Sequence, residues 1–440
     1  MTTRRSLLRG ATAGVGAGLL AACSVRSDTT PKPGPSTAQG KVEFWYAGLG
    51  TQFVEAYNEM AKSLTAKNPK ITVEVLLTEG FPDKVVVAAA AGAPPDSFNI
   101  QLIDALSFLP KGVYEPLDAA MKSYRFDPKG LWPGLIEQFN YQGKQLVMWA
   151  QVNTTPVLYY NVQLFRQNQL PTPNELARQN KWSWEAAVET AQKLTKQDER
   201  YGLWTLTTPQ ALQPWLWMNG GRGFDSEDKP TRLTMSEPAS LAAMQWQADI
   251  RNRYRVAPTP RQLTAELMNA QAGFANGKLA MYTEQINTAA VDIAVKGAAR
   301  FEWDMAPPPA GPKGAFGFIG GQSIGVCNGR KNKDAALDWL FHVVSPDGHK
   351  EVVKRQIGVP AYKAMMDTAD WKNAPTAPPS LSVAGDMMNK SKPIAKTTTW
   401  RTLATNVFNS AITMMNNGDV TAREACAQID DVGTKTLASS

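Results

Sequence analysis

At 440 residues, 43% hydrophobic and 19% charged, the chain is too apolar to be disordered and long enough for two or three domains with sizeable cores. A formal charge of +7 is modest for this length and falls to +4 once the three arginines of the first 22 residues are removed, so no nucleic-acid partner is expected. Two histidines, His342 and His349, lie in or next to one expected helix and make neither a conventional zinc site nor a Ser–His site unaided, so no metal and no cofactor are expected.

The first residues read as an address. Arg4-Arg5 within Thr3–Arg9 is a twin-arginine export pattern, and a short Gly/Ala-rich apolar run follows it. Leu20-Ala21-Ala22-Cys23 closes that run as a lipobox, so residues 1–23 form a signal peptide with Cys23 as the lipidated residue. No later apolar run is long enough to span a bilayer. The protein is therefore expected on the outer face of the cell membrane, lipid-anchored and either extracellular or periplasmic. Residues 24–40, rich in Pro, Thr, Ser and Gly, form a flexible tether. Cys327 and Cys426 read as buried thiols.

Residues 41–46 make an apolar strand, followed by a helix with Phe53, Ala56, Tyr57, Met60 and Leu64 on one face and a stop at Asn68-Pro69. Residues 71–77 alternate as a strand, 82–91 form an Ala/Val helix closed by Gly92, and 98–102 form a third strand. This βαβαβ opening predicts a parallel sheet covered by helices. A helix from residue 104, an exposed turn over 112–118 and a short helix over 131–139 come next.

Residues 146–149 then begin a strand, 151–156 form a polar, turn-prone patch, and 157–160 resume as a strand. A polar segment between two apolar strands, with a domain's length before it and more after it, reads as a crossing between lobes, where small-molecule clefts form. Further on, Ser183 caps a helix that runs to Lys196. A strand is expected over 201–206 and helices over 209–218, 237–251 and 263–275. Strands at 280–282, 301–305 and 316–327 precede helices over 333–344 and 346–356. Helices over 400–415 and 421–437 end the chain. Arg251-Asn252-Arg253-Tyr254-Arg255 is the densest basic cluster and reads as a solvated helix end.

Several short blocks carry a resemblance. They are Phe44-Trp45, then Ala90–Asp96 with its Pro94-Pro95-Asp96 end, then Leu158-Tyr159-Tyr160-Asn161 with Leu164-Phe165. Trp182-Ser183-Trp184-Glu185 with Lys193-Leu194-Thr195, Gly220-Gly221, Phe274–Met281, Asn332–Ala336 and Gly358-Val359-Pro360 follow. In this order and spacing over residues 41–437 the chain resembles the sugar-binding class of extracytoplasmic solute-binding proteins, ABC-importer receptors of the maltose-binding type.

The resemblance implies an α/β, two-lobed periplasmic-binding-protein fold, a Venus flytrap with a hinge of two to three crossing segments. Residues 41–152 and 311–357 would form the N-terminal lobe, and 153–310 and 358–440 the C-terminal lobe. It implies a carbohydrate ligand (mono- or oligosaccharide) held between the lobes, ABC permease transmembrane subunits as partners, a monomer, and no enzyme activity. A same-fold receptor for a sugar phosphate or polyol is the alternative.

A sugar cleft needs flat aromatic faces for ring C–H groups and polar groups for hydroxyls. The tips expected to face the cleft supply Tyr46 and Leu49 after the first strand, and Ile100 to Asp104 after the third. Gln151, Asn153 and Thr154 sit on the first crossing, and Gln210 and Trp215 on a helix. Tyr282, Glu284 and Gln285 end another strand, Phe318, Gly320 and Gly321 lie on a Gly-rich strand, and Trp400 opens the penultimate helix. Where maltose-binding protein has acidic sugar clamps, this chain has apolar or amide residues near Ile100, Ile103 and Thr154, which leaves the sugar open.

Two enzymatic readings compete. Gly321-Gln322-Ser323-Ile324-Gly325 matches a nucleophile elbow, which requires a strained turn between a strand and a helix, yet here the strand pattern continues to Cys327. A glycoside hydrolase requires two carboxylates about 5–10 Å apart, and only Asp104 and Glu284 are candidates. A third reading is a lipoprotein of this fold that acts through protein contacts alone.

Overall fold

A computed structural model describes residues 38–439 apart from 48, 49, 80, 198, 268 and 288–298. The signal-peptide residues and Cys23 therefore lie outside the described residues, as does Leu49. Strand β1 (Gly40–Tyr46) alternates, turning Val42, Phe44 and Tyr46 inward. The helix Thr51–Lys67 buries Phe53, Ala56, Tyr57, Met60, Ala61 and Leu64 at helical spacing. It returns the chain to β2 (Ile71–Leu77), parallel to β1, and β3 (Ser97–Gln101) pairs parallel on the other side. The expected βαβαβ opening is thus present.

A two-residue hairpin, β4 (Asn140–Tyr141) and β5 (Lys144–Gln145), precedes β6 (Met148–Thr155) and β7 (Val157–Asn161). Further along come β8 (Met281–Glu284), β9 (Trp303–Ala306), β10 (Gly317–Val326) and β11 (Ser391–Lys392). The first sheet has the order β11-β10-β3-β1-β2, with β6 also paired to β10. A second, antiparallel sheet has the order β8-β7-β9. Two chain segments thus run from one sheet to the other: β6 into β7 through Pro156, and β9 into β10 through residues 307–316. Gly358 and Val359 form a third contact with the first crossing, because Val359 bridges Val152.

Helices cover both sheets. Trp339, fully buried on Lys333–Val343, packs edge-on against Phe44 at 5.3 Å and against Tyr57 at 6.4 Å. Beside the second sheet Trp184, Trp215 and Trp246 form a stack with centroids 4.7–6.2 Å apart. Each fully buried side chain of this size contributes roughly 1.5–3 kcal/mol or more of transfer free energy. Both histidines are packed away: His342 on Lys333–Val343 bonds Ser63 Oγ at 2.6 Å, and His349 lies on the next helix, Pro346–Arg355. Cys327 and Cys426 are buried free thiols.

Several expectations are corrected. The polar patch 151–156 is not a turn: Gln151–Thr155 continue β6, and Phe318–Gln322 satisfy their backbone groups. Residues 201–206 form no strand and touch the second sheet only by bridges from Tyr201 and Trp204. Residues 263–275 break into the 3-10 turn Ala265–Leu267 and the short helix Ala270–Ala275. Residues 131–139 make turns and the 3-10 segment Glu137–Phe139. The turn after Gly112 is not exposed, since Val113 and Tyr114 are buried and Tyr114 stacks on Phe98 at 5.4 Å.

Candidate functional site

Strand ends from both sheets meet around a cavity of about 190 Å³. Gln101, Leu102 and Ile103 close it at the end of β3, and Gln151 and Asn153 line it from β6. Phe318, Gly320, Gly321 and Gln322 come from β10, and Glu284, Gln285 and Asn287 from β8 and the turn after it. Phe53, Gln210 and Gln271, each in the first turn of its helix, complete the wall.

The chemistry of this wall is unusually uniform. Eight of its side chains are amides, one is a carboxylate, and no lysine, arginine or histidine lines it among the described residues. Amides both donate and accept, so they match hydroxyl groups, which do the same. Internal bonds hold several of them. Asn153 Nδ2 donates to Gln285 Oε1 at 3.1 Å, and Gln271 Nε2 donates to Glu284 Oε2 at 3.1 Å. Asn99 Nδ2 donates to Gln322 Oε1 at 3.3 Å, and the Gln285 backbone N–H donates to Glu284 Oε1 at 3.0 Å. Three buried amide oxygens of this wall, Gln151 Oε1, Asn153 Oδ1 and Gln210 Oε1, accept no hydrogen bond within the described protein. A buried acceptor without a donor costs about 1–3 kcal/mol.

Two glycines fix this geometry. Gly321 has φ +128°, and a Cβ there would lie 2.4 Å from the Gln151 carbonyl oxygen. At Gly358 a Cβ would stand 2.2 Å from Gln151 Oε1, so the third chain segment presses directly on a cavity side chain. Next to the pairing of Gln322 with Gln151 the β6–β10 register slips, Ser323 facing Trp149, an irregularity of the kind that re-aims side chains beside functional sites.

Of the residues expected to face the cleft, Gln101, Leu102 and Ile103 of the Ile100–Asp104 tip, with Gln151, Asn153, Gln210, Glu284, Gln285, Phe318, Gly320 and Gly321, meet at this cavity. The others lie elsewhere. Tyr46 is buried against Tyr57 and Phe53, with centroids 5.5 and 6.5 Å away. Ile100 is buried, and its carbonyl accepts from Ser323 Oγ at 2.8 Å. Thr154 Oγ1 bonds Ser391 Oγ at 2.6 Å. Trp215 belongs to the tryptophan stack, and Tyr282 packs between Tyr159 at 5.1 Å and Phe274 at 4.9 Å.

Trp400 is fully buried against Phe224 and Phe408, and its Nε1 donates to the Ala395 carbonyl at 2.6 Å. Asp104 faces the Arg401 guanidinium, 3.5 Å from Nε. Burial raises the Asp104 carboxyl above the ordinary range and outweighs Arg401, which acts the other way. Phe53, Gln271, Asn287 and Gln322 were not expected. Of these only Gln322 carried a signal, since it sits two residues from Gly320 on the same strand.

Ser323 is fully buried in the middle of β10, so the Gly321–Gly325 motif forms no elbow. Asp104 does not line the cavity that holds Glu284, so no carboxylate pair faces it among the described residues. Among the described residues no cluster of His, Cys, Asp and Glu suited to a metal ion occurs, and no helix is long and apolar enough to cross a membrane.

Two α/β lobes joined by crossing segments, with a polar cavity where their strand ends meet, define the periplasmic-binding-protein class of fold. The profile described as bacterial extracellular solute-binding protein matches residues 47–350, and the chain belongs to that family. Solved structures agree on the fold. The ABC substrate-binding protein Lmo0181 from Listeria monocytogenes, in complex with cycloalternan, is similar with TM-score 0.79 and 22% identity, over 91% of this chain and 99% of that one. Maltose-bound MalE3 from T. maritima gives TM-score 0.75 and 20% identity, over 90% and 99%. UgpB from Mycobacterium tuberculosis, in complex with glycerophosphocholine, gives 0.75 and 19%, over 91% and 99%.

Proposed function

We propose that this protein is the substrate-binding lipoprotein of an ABC importer, which captures a neutral, hydroxyl-rich carbohydrate between its lobes and delivers it to a membrane permease. The observation that carries this reading is the amide-lined cavity, which has three buried acceptors to satisfy and no cation among its described lining residues. That chemistry favours a free sugar or a polyol over a sugar phosphate, whose charge would meet Glu284 and no described counter-ion. A volume of about 190 Å³ lies below the usual range for drug-sized ligands, which favours a monosaccharide-sized ligand or one ring of a larger one. The maltose and cycloalternan of the similar structures support the carbohydrate class.

The lobes of this reading are 41–152 with 311–357, and 153–310 with 358–440. The Trp132 Nε1 bond to the Pro360 carbonyl at 2.9 Å and the Tyr362 hydroxyl bond to the Val344 carbonyl at 3.0 Å support a third crossing that runs on to residue 362. Export by the twin-arginine route, lipidation at Cys23, a tether over 24–40, a position on the outer face of the membrane and a monomeric state complete the reading. The protein acts by binding, without catalysis. Closure follows from a ligand that binds the closed form better than the open one.

Thermal unfolding of residues 24–440 against sugars, polyols, sugar phosphates, amino acids and peptides tests this. A ligand at 100 times its Kd adds about 2.7 kcal/mol of stability. A shift with a neutral sugar or polyol is expected. A shift with amino acids or peptides alone, or none at all, would refute it.

A further inference from the structure

The basic cluster at residues 251–255 is solvent-exposed at Asn252, Arg253 and Arg255, as its composition suggests, but not at Arg251. Arg251, in the last turn of the helix Pro238–Asn252, is only 4% exposed. Its Nη1 donates to the Gln247 carbonyl at 2.9 Å and its Nη2 to the Thr205 carbonyl at 3.0 Å, so its hydrogen-bond partners among the described residues are neutral oxygens. Arg251 lines a cavity of about 510 Å³ together with Lys196, Arg200 and Arg255, and this cavity shares no lining residue with the cleft.

Four cations thus border one concavity. Of the acids described beside it, Glu199 is paired with Lys196 at 2.7 Å and Asp419 with Arg261 at 2.7 Å, and among the described residues no carboxylate forms an ion pair with Arg200, Arg251 or Arg255. Asp198 lies outside the described residues. Arg200 Nε is held by the Leu194 carbonyl at 3.0 Å, which fixes that guanidinium at the wall. Arg255 occupies the left-handed region with φ +55°, which is uncommon for a residue other than glycine or asparagine and is found enriched at binding sites. Tying the helix end to Thr205 accounts for Arg251 and the Glu199 pair for Lys196, which leaves Arg200 and Arg255 without a counter-charge among the described ion pairs. A buried guanidinium without a counter-charge is costly, and a bound anion offsets that cost.

We propose that this cavity is a second ligand site, separate from the cleft, for a phosphate-type oxyanion. A phosphoryl group presents three oxygens and so can use cations arriving from several elements at once, whereas a carboxylate is satisfied by one guanidinium. Burial lowers the Arg251 guanidinium to about 10, which leaves it charged at neutral pH and available to an anion. The phosphate group belongs either to a free phosphate compound or to a phospholipid headgroup, which present the same chemistry to the site.

The test is calorimetric titration of the 24–440 protein with inorganic phosphate at low ionic strength, repeated on an Arg200→Gln/Arg255→Gln variant. Flotation with phosphatidylcholine vesicles, with and without phosphatidylglycerol, runs beside it. Both substituted residues lie at the cavity wall outside the Arg251 network, and an unchanged melting midpoint without ligand confirms that the variant folds. Saturable phosphate binding that weakens about tenfold or more per arginine removed is expected. Phosphate binding without flotation identifies a soluble source. Flotation that requires phosphatidylglycerol and both arginines identifies the headgroup. No saturable phosphate binding and no flotation, or binding that the double variant retains, would overturn the proposal.

Discussion

Arg401 reaches from the helix Trp400–Leu403 to the helix Asp83–Ala90. Its Nη1 and Nη2 meet Asp83 Oδ1 and Oδ2 at 2.5 and 2.8 Å, and its backbone N–H donates to Ser107 Oγ at 3.3 Å. In the proposed lobe division these contacts join one lobe to the other, so Arg401→Gln should weaken closure. The magnitude follows from exposure. Asp83 is 68% and Arg401 32% exposed, which places the pair near the upper end of the surface range, about 1 kcal/mol, rather than among buried pairs. One kcal/mol on the closed form raises the ligand Kd about fivefold.

The assay is titration of the stabilising sugar into wild type, Arg401→Gln, Asp83→Asn and the double variant, with X-ray scattering of each at saturation. A coupling of about 1 kcal/mol that shrinks in high salt is expected. The Arg401 hydrogen bond holds the Asp83 carboxyl below its ordinary range, so the clamp is complete above about pH 4 and is lost as pH falls through that depressed value. Additive single effects, or an unchanged Kd in Arg401→Gln, would refute the reasoning.

Other consequences concern the core and the cavity. Burial lowers His342 and His349 to about 4, so the unfolded chain binds protons at these sites between about pH 6.5 and 4 while the folded protein does not. Stability is therefore complete above about pH 6.5 and falls on acidification through that window by up to ~1.4 kcal/mol per pH unit per histidine. His349→Gln should flatten the melting-midpoint profile, and an equally steep profile in the variant would contradict this. Trp400→Phe should leave sugar affinity within about twofold, because Trp400 is core, whereas Trp400→Ala costs ~3–5 kcal/mol of stability in denaturant melts. Phe318→Ala should weaken sugar binding about tenfold in the same titration. Burial pushes the Cys327 and Cys426 thiols up to about 12, so neither should react with a thiol reagent until the protein is unfolded.

The scaffold was legible where pattern alone decides it. Alternation in β1, the Phe53–Leu64 stripe and the Pro94-Pro95-Asp96 turn each specify one local structure, and together they announce the parallel opening. Gln151 and Asn153 stood out because polar residues inside an apolar run need a reason to be there, and that reason proved to be the cavity. Apart from Phe318, the aromatic candidates lie in the core for the converse reason. Tyr46, Tyr282 and Trp400 are as suitable for a core as for a sugar face, and only the packing of Tyr57, Phe274 and Phe224 against them decides which. Phe53, Gln271 and Asn287 reach the cavity from helix starts and a turn, where periodicity carries no direction. The buried Arg251 was hidden for the same reason, since charge patterning reports composition and not which face of a helix meets a neighbour.

The most direct test of the central claim is a paired calorimetric titration: a neutral sugar found in the melting panel and its phosphorylated counterpart, each into wild type and Gln151→Leu. The account predicts saturable binding of the neutral sugar, at least tenfold weaker binding of the phosphorylated form, and loss of about tenfold or more in affinity on removing the Gln151 amide. Equal or tighter binding of the phosphorylated form, or full affinity in Gln151→Leu, would contradict the assignment of the amide-lined cavity as a site for a neutral carbohydrate.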